Sequence, residues 1–298
     1  MSHSLKSWFA TTRYWSFSVS ALPVVAGVAY LAATRDLYAV GWLNAVLAVV
    51  GVVLFHAAGN LLSDVGDYRS GADSAEAYAV PTLVKHEYES REYLWLSAVL
   101  FLLGIALGLF IAWRSSWMLL WVGGAGFLLT LLYTKSKNVW LSDLVVFLIF
   151  GVLILLGTSI AVTGDVCYDV LLLSLPLGLI TLSVLHINNT VDIRTDGSAG
   201  LHTVAMAMGE RFAVRMYGVY QLLPFLCIVV LVVLRWLPWP SLLCLLALPV
   251  AWGNVRRSRR YAAEGRDALL GLDQQSAKLQ LLFSLTLSLG LFLSIWIQ

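Results

Sequence analysis

Nine apolar stretches recur along the chain, at 17–33, 39–62, 94–113, 117–133, 144–162, 170–189, 213–234, 241–252 and 279–296. Eight of the nine have the roughly 17 to 25 residues that carry a helix across a hydrocarbon core about 30 Å thick. The pattern predicts an all-α polytopic membrane protein with nine transmembrane helices. The eighth stretch is short and contains Pro249. The first has a longer apolar core than the roughly 7 to 15 residues usual for a signal peptide, so it reads as a retained helix.

The polar positions between the spans orient them. Taking the N-terminus, the connections after spans 2, 4, 6 and 8 and the first turn of span 7 as one face collects 16 of the 19 Lys and Arg residues, leaving Arg35, Arg114 and Arg235 opposite. Cytoplasmic loops hold the excess of Lys and Arg, so the N-terminus is expected inside. For a bacterial chain this is the inner membrane. Of 17 acids, 14 lie on that same face, opposite only Asp36, Asp165 and Asp169. The net charge of +2 therefore hides a surface dense in both signs. Such a face suits an anionic ligand bridged by cations better than simple lipid attraction.

Composition sharpens the class and adds little chemistry. The chain is 60% hydrophobic and 12% charged, with a mean hydropathy of +0.83, which excludes a water-soluble domain. Its three cysteines, Cys167, Cys227 and Cys244, have no metal-binding spacing. We read 1–298 as one integral-membrane domain, with pseudo-repeat halves at about 17–133 and 144–252 and a last helix at about 279–296.

That repeat carries the chemistry. "NLLSDVGD" begins at Asn60, at the end of the second span, and "NNTVDIRTD" begins at Asn188, at the end of the sixth. Asn188 and Asp192 lie 128 residues after Asn60 and Asp64, and Asp196 lies 129 after Asp67. An even number of spans between the copies returns the chain to the same face. On a helix, Asn60, Asp64 and Asp67 share one stripe, as do Asn188, Asp192 and Asp196. Four carboxylates converging on one cavity repel unless neutralised. Hard oxygen donors of this kind match Mg²⁺, which shares phosphate oxygens with its protein ligands. Asp64, Asp67, Asp192 and Asp196 are thus the expected metal-binding and catalytic residues, bridged to a diphosphate. Arg69, Arg194, Lys85, Lys135 and Lys137 lie on the same face and could hold phosphate oxygens, although each alone also fits an ordinary positive-inside residue.

These motifs resemble those of the UbiA superfamily of intramembrane prenyltransferases, over nearly the whole chain. Within it, "NLLSDVGDYRSGAD" and "NNTVDIRTDGSAGLHTVAMAMG" are similar to the motifs of the MenA branch, the 1,4-dihydroxy-2-naphthoate polyprenyltransferases of menaquinone synthesis. The resemblance implies nine helices around a central cavity with a lateral opening to lipid. It also implies Mg²⁺ held through the substrate diphosphate by the four aspartates and steadied by Asn60 and Asn188. Three departures concern the ligand-binding loops. "AVPTLVK" stands where the branch has G-P-x-R, so Lys85 replaces that arginine or nothing does. His202 stands where a Lys or Arg is usual before the threonine of the second loop. "YTKSK" replaces the branch's "YTGGP", and its Tyr133 and Lys137 resemble the tyrosine and lysine of the hydroxybenzoate branch.

The expected reaction is Mg²⁺-dependent transfer of a polyprenyl group from an isoprenyl diphosphate to an aromatic acceptor, first of all 1,4-dihydroxy-2-naphthoate and alternatively 4-hydroxybenzoate. His56, Tyr133 and His186 are candidates to orient or deprotonate that acceptor. The histidines fit equally well as polar residues bonded to a neighbouring helix. A transporter or prenyl-lipid-binding protein is the reading from a different class; it would place ion sites near the midplane, whereas these carboxylates sit at helix ends. The expected partners are the diphosphate, the acceptor and membrane lipid, with no nucleic acid.

Overall fold

The computed structural model describes residues 4–35, 37–71 and 82–297. Asp36, Asp73 and the first three residues of "AVPTLVK" lie outside the described residues, whereas Lys85 lies within them. The chain is all-helical over that range. Seven segments are long and apolar enough to cross a membrane: Tyr14–Thr34, Gly41–Ser70, Ser90–Arg114, Ser142–Thr163, Tyr168–Val191, Glu210–Val233 and Leu272–Trp296. Leu119–Tyr133 is a shorter apolar helix.

In helical elements these are α1 (Leu5–Thr11), α2 (Ser18–Thr34), α3 (Ala39–Ser70), α4 (Ser90–Arg114), α5 (Leu119–Ser136), α6 (Ser142–Phe147) and α7 (Ile154–Thr163). There follow α8 (Ser174–Val191), α9 (Ile193–Ser198), α10 (Val204–Met208), α11 (Glu210–Val233), α12 (Leu248–Ser258), α13 (Tyr261–Glu264) and α14 (Leu272–Leu293). The eighth apolar stretch is not one helix. It divides into a 3₁₀ segment, Trp239–Ala247, and α12. Pro249 is the cause: without an N–H it cannot bond back to a carbonyl four residues earlier, so α-helix restarts only at Leu248.

Lipid, not water, is the solvent for the outer wall. Leu102, Trp121, Val233, Leu246 and Trp296 are each 66% exposed or more, a burden no water-soluble fold carries. Trp42, Trp113, Trp117, Trp121, Trp236, Trp239 and Trp296 gather at helix ends opposite the aspartates, the position of an interfacial aromatic belt.

Two features position the site. α3 has 32 residues, about 48 Å at 1.5 Å per residue, so it outruns the hydrocarbon core and carries Asn60, Asp64 and Asp67 on its polar end. Gly71 stops it in the left-handed conformation, φ 79°. α8 is buried along nearly its whole length, among Leu155, Leu177, Ile180 and Phe283 of the main core. Gly178 of α8 meets Gly151 of a π-helical segment, Leu148–Leu153, that joins α6 to α7. A Cβ on Gly178 would lie 2.5 Å from the Phe147 ring, so only glycine allows this approach. α14 seals the opposite side, its Gly290 seated against the Pro240 carbonyl and Gln280 Nε2 donating to Ser18 O at 3.2 Å.

Candidate active site

α3 and α8 each end in an Asn-Asp pair, and both ends line one cavity of about 1000 Å³. Asn60, Asp64 and Asp67 reach it from α3 as one stripe; Asn188 and Asp192 reach it from α8. The α-helix breaks at Asp192 (φ −98°, ψ 14°), and α9 restarts behind it with Asp196. Asp196 N still donates to Asp192 O at 2.8 Å, so one helical turn survives the break and Asp196 also lines the cavity.

Each cluster is already countered by cations. Lys137 Nζ donates to both Asp67 oxygens, at 2.9 and 2.7 Å. Arg13 donates to Asp64, and Arg266 Nη2 donates to Asp192 Oδ1 at 3.1 Å. Burial works against the Lys137 ammonium, but Asp67, Tyr133 and Asp196 outweigh it and raise its pKa. Burial pushes Asp196 up to about 7; Lys137 opposes that shift, and Asp192 and Asp67 add to it. The carboxylates thus feel one another across the cavity, although they come from segments more than 100 residues apart.

Among the described residues no three His, Cys, Asp or Glu side chains close around a point as a ready-made metal cage. Mg²⁺ usually binds through one or two carboxylates plus substrate phosphates rather than in an all-protein cage. Among the described residues the Asn189 amide nitrogen, buried on the cavity wall, has no hydrogen-bond partner, and neither has the Thr181 hydroxyl. Buried polar atoms are rarely left so, and a ligand oxygen would satisfy them.

The other expected residues divide. Tyr133 and His56 line the cavity, with Lys137 Nζ 5.4 Å from the Tyr133 ring centroid. His56 Nδ1 is 3.0 Å from Ser20 Oγ, and its ring packs at 5.3 Å on Phe150. His186 does not line the cavity: Nε2 donates to Ala213 O at 2.9 Å and Nδ1 faces Asp143 Oδ2 at 3.4 Å, so it ties α8 to α6 and α11. Arg69, Lys85, Lys135 and Arg194 are exposed and do not line the cavity; Arg194 pairs with Glu210 at 3.5 Å. His202 reaches the site through its backbone instead. Its N–H donates to Lys137 O at 3.0 Å and its carbonyl accepts from Trp140 N at 3.1 Å, which fixes the turn presenting Lys137.

Sequence reading missed Arg13, Arg266 and Asn189. Arg13 and Arg266 lie 51 and 74 residues from the aspartates they meet, so no spacing signals them. Asn189 stood in plain view as the second asparagine of "NNTVD".

Residues 20–294 match the UbiA prenyltransferase family. The chain belongs to that family. It is a prenyltransferase, one that transfers a prenyl group from an isoprenyl diphosphate to an acceptor. It is 31% identical to UbiA prenyltransferase domain-containing protein 1 of Xenopus tropicalis, covering 95% of this chain and 80% of that one. The human protein of the same name is 29% identical, with 97% and 84% covered. The fold is shared with a UbiA homolog from Archaeoglobus fulgidus bound to GPP and Mg²⁺, at TM-score 0.69 and 13% identity over 97% and 99% of the two chains. The apo UbiA homolog from Aeropyrum pernix K1 gives 0.65 and 19%, over 94% and 98%.

Proposed function

We propose that this UbiA-family enzyme transfers a polyprenyl group from its diphosphate to an aromatic carbon, with Mg²⁺ held by Asp64, Asp67, Asp192 and Asp196. The observation that carries the reading is the convergence of both aspartate motifs on one cavity whose far end is apolar. An amphiphile with a diphosphate head and a hydrocarbon tail matches that polarity. Asn60, Asn188 and Asn189 would steady the ligated oxygens, and Lys137 and Arg13 would turn from the aspartates to the diphosphate once the metal neutralises those carboxylates. Arg69, Lys85, Lys135, Arg194 and the His202 side chain are left as surface groups in this reading.

Bound Mg²⁺ supplies charge neutralisation at the diphosphate. The rest falls to the protein. Lys137 and Arg13 donate to the non-bridging oxygens as the C1–O bond breaks and pyrophosphate leaves with the electron pair. The acceptor's electron-rich ring carbon then bonds to C1, and the ring regains aromaticity by losing a proton or, in 1,4-dihydroxy-2-naphthoate, CO₂. Helix-lined walls exclude water that would otherwise trap the allylic cation. His56, bonded to Ser20, and Tyr133 beside Lys137 are the polar groups at hand for an acceptor hydroxyl.

The motif sequence favours 1,4-dihydroxy-2-naphthoate, and hence menaquinone biosynthesis, while the Tyr133–Lys137 pair keeps 4-hydroxybenzoate in the test. The excess of Lys and Arg at the aspartate end supports a cytoplasmic position for that end. In this reading the 3₁₀ segment with α12, and the short α5, complete nine crossings. Purified protein with Mg²⁺ and a prenyl diphosphate is offered dihydroxynaphthoate, 4-hydroxybenzoate and homogentisate separately, and products are read by mass spectrometry. A prenylated, decarboxylated naphthol is expected. Absence of product from every acceptor, or full turnover by Asp64→Asn, would overturn the proposal.

A further inference from the structure

At the end of the bundle opposite the aspartates, a second cavity of about 480 Å³ opens where three elements meet. Thr34 ends α2, residues 235–240 run from α11 into the 3₁₀ segment, and Ser294 and Ile297 follow α14. α11 stops there in a Schellman motif: Trp236 N donates to Leu231 O and Arg235 N to Val232 O, both at 2.9 Å. The motif turns on a residue in the left-handed region, here Arg235 with φ 61°. Glycine is the usual occupant, because a Cβ disfavours that conformation. An arginine kept there against backbone preference points to a use for its side chain.

That side chain is the unmatched cation of this face. Arg35 donates to both Asp169 oxygens, at 3.1 and 3.0 Å, and Arg114 Nε donates to Asn44 Oδ1 at 3.1 Å. The Arg235 guanidinium has no partner among the described residues, and neither have the indole N–H groups of Trp236 and Trp239 beside it. Among the described residues no Asp or Glu lines the cavity. Its two hydroxyls are committed to their own helices, Thr34 donating to Tyr30 O at 2.9 Å and Ser294 to Leu291 O at 2.6 Å. What remains is a set of hydrogen-bond donors around one positive charge. Such a set fits the oxygens of a phosphate, which a guanidinium fork matches in geometry.

Depth and surroundings select the form of that phosphate. Trp236 and Trp239 belong to the aromatic belt, so the cavity lies at headgroup level. Val233 and Leu234, next to Arg235 in the chain, and Ile297, which lines the cavity, are 75%, 49% and 52% exposed. They offer an apolar bed for acyl chains beside the phosphate.

We propose that Arg235, with Trp236 and Trp239, binds the phosphate of an anionic membrane phospholipid in the leaflet opposite the aspartates, and that this lipid pins the end of α11 to the ends of α2 and α14. A zwitterionic headgroup brings a cation that the site has no acid to match. An anionic one leaves its phosphate charge for Arg235.

The test is melting of the full chain, purified in mild detergent and stripped of lipid, against added dioleoylphosphatidylglycerol, dioleoylphosphatidylcholine or inorganic phosphate. Phosphatidylglycerol is expected to raise the wild-type melting temperature by about 2–4 °C, and the other two by less than half as much. Arg235→Gln should lose most of the rise. Arg235→Gly fits the left-handed turn, so it should melt at or above wild type without lipid and yet lose the rise as well. An arginine that only ends the helix does not produce that opposite pair of effects. A full phosphatidylglycerol response in both variants overturns the site and assigns the response to the basic run Arg256 to Arg260 at the other face. An unresponsive wild type overturns it too, and an equal response to phosphatidylcholine or to free phosphate overturns the anionic lipid as its ligand.

Discussion

Lys137 Nζ sits between the two carboxylate oxygens of Asp67, at 2.9 and 2.7 Å, although 70 residues separate them. The pair is nearly sealed from solvent, with side-chain exposures of 12% and 11%. An ammonium there occupies the position a metal would take on Asp67. Under the proposed function Lys137 would have two opposing effects: it would compete with Mg²⁺ for Asp67 before the donor binds and hold diphosphate oxygens afterwards. Lys137→Gln is expected to tighten Mg²⁺ binding to the donor-free protein while lowering kcat about 10²-fold, the usual scale for one lost charge-stabilising donor. Calorimetric Mg²⁺ titration and turnover read the two effects. Weaker Mg²⁺ binding together with normal turnover would show that the pair is only structural.

Asp196 gives the pH dependence. Its folded pKa of about 7 lies above the ordinary 3.8, through burial first and the neighbouring Asp192 and Asp67 next. A raised carboxyl pKa means the folded protein holds the proton more tightly than the unfolded chain. In metal-free protein this contribution stabilises at low pH and is lost as pH rises from about 4 through about 7. The melting temperature without metal should fall across that window, and less steeply in Asp196→Asn. Metal needs the carboxylate, so Mg²⁺ affinity should rise over the same range with release of a proton. A flat Mg²⁺ affinity between pH 5.5 and 8 would contradict this.

How much of the site could be read from the sequence follows from how far each contact travels along the chain. Asn60, Asp64 and Asp67 share a helix, and acids at those intervals are conspicuous against an apolar span. The second motif was legible as spacing but not as shape: one stripe on one helix was expected, whereas α8 breaks at Asp192 and a single hydrogen-bonded turn carries Asp196 back to the cavity. Arg13 was invisible because its meeting with Asp64 is made only in three dimensions. The basic residues nearest the motifs misled for the same reason. Arg69 follows Asp67 by two positions, about 200° around a helix, and so points away from it. Spans were legible from apolar length, but not the changes of helix type inside them, such as the π-helical Leu148–Leu153 or the 3₁₀ segment ahead of Pro249.

The exposed basic residues near the motifs are expected to be dispensable. Arg194 has 88% of its side chain exposed and pairs only with Glu210 among the described residues, and Arg69, Lys85 and Lys135 are exposed outside the cavity. Alanine at each should leave kcat/KM for the donor within about threefold, since exposed pairs contribute roughly 0–1 kcal/mol. Arg13→Ala, which strips Asp64 of its partner inside the cavity, should cost at least about tenfold by the same assay. A larger loss at Arg194 than at Arg13 would reassign the diphosphate contacts to the loop.

Gly290 separates packing from chemistry. A Cβ there would come 2.1 Å from the Pro240 carbonyl oxygen and 2.6 Å from its carbon, both backbone atoms that no rotamer change can move aside. Gly290→Ala must therefore push α14 away from the 3₁₀ segment Trp239–Ala247, even though alanine is the better helix former. Overpacking of this kind costs about 1–3 kcal/mol, against the roughly 1 kcal/mol that propensity returns. The variant should melt below wild type in detergent. Gly123→Ala, which meets nothing within 4 Å, should melt at or above it. Because Gly290 lies far from the aspartates, the folded fraction of Gly290→Ala should retain donor kcat/KM. Equal melting temperatures for the two alanine variants would mean that α14 and the 3₁₀ segment are not packed as closely as the Gly290–Pro240 approach requires.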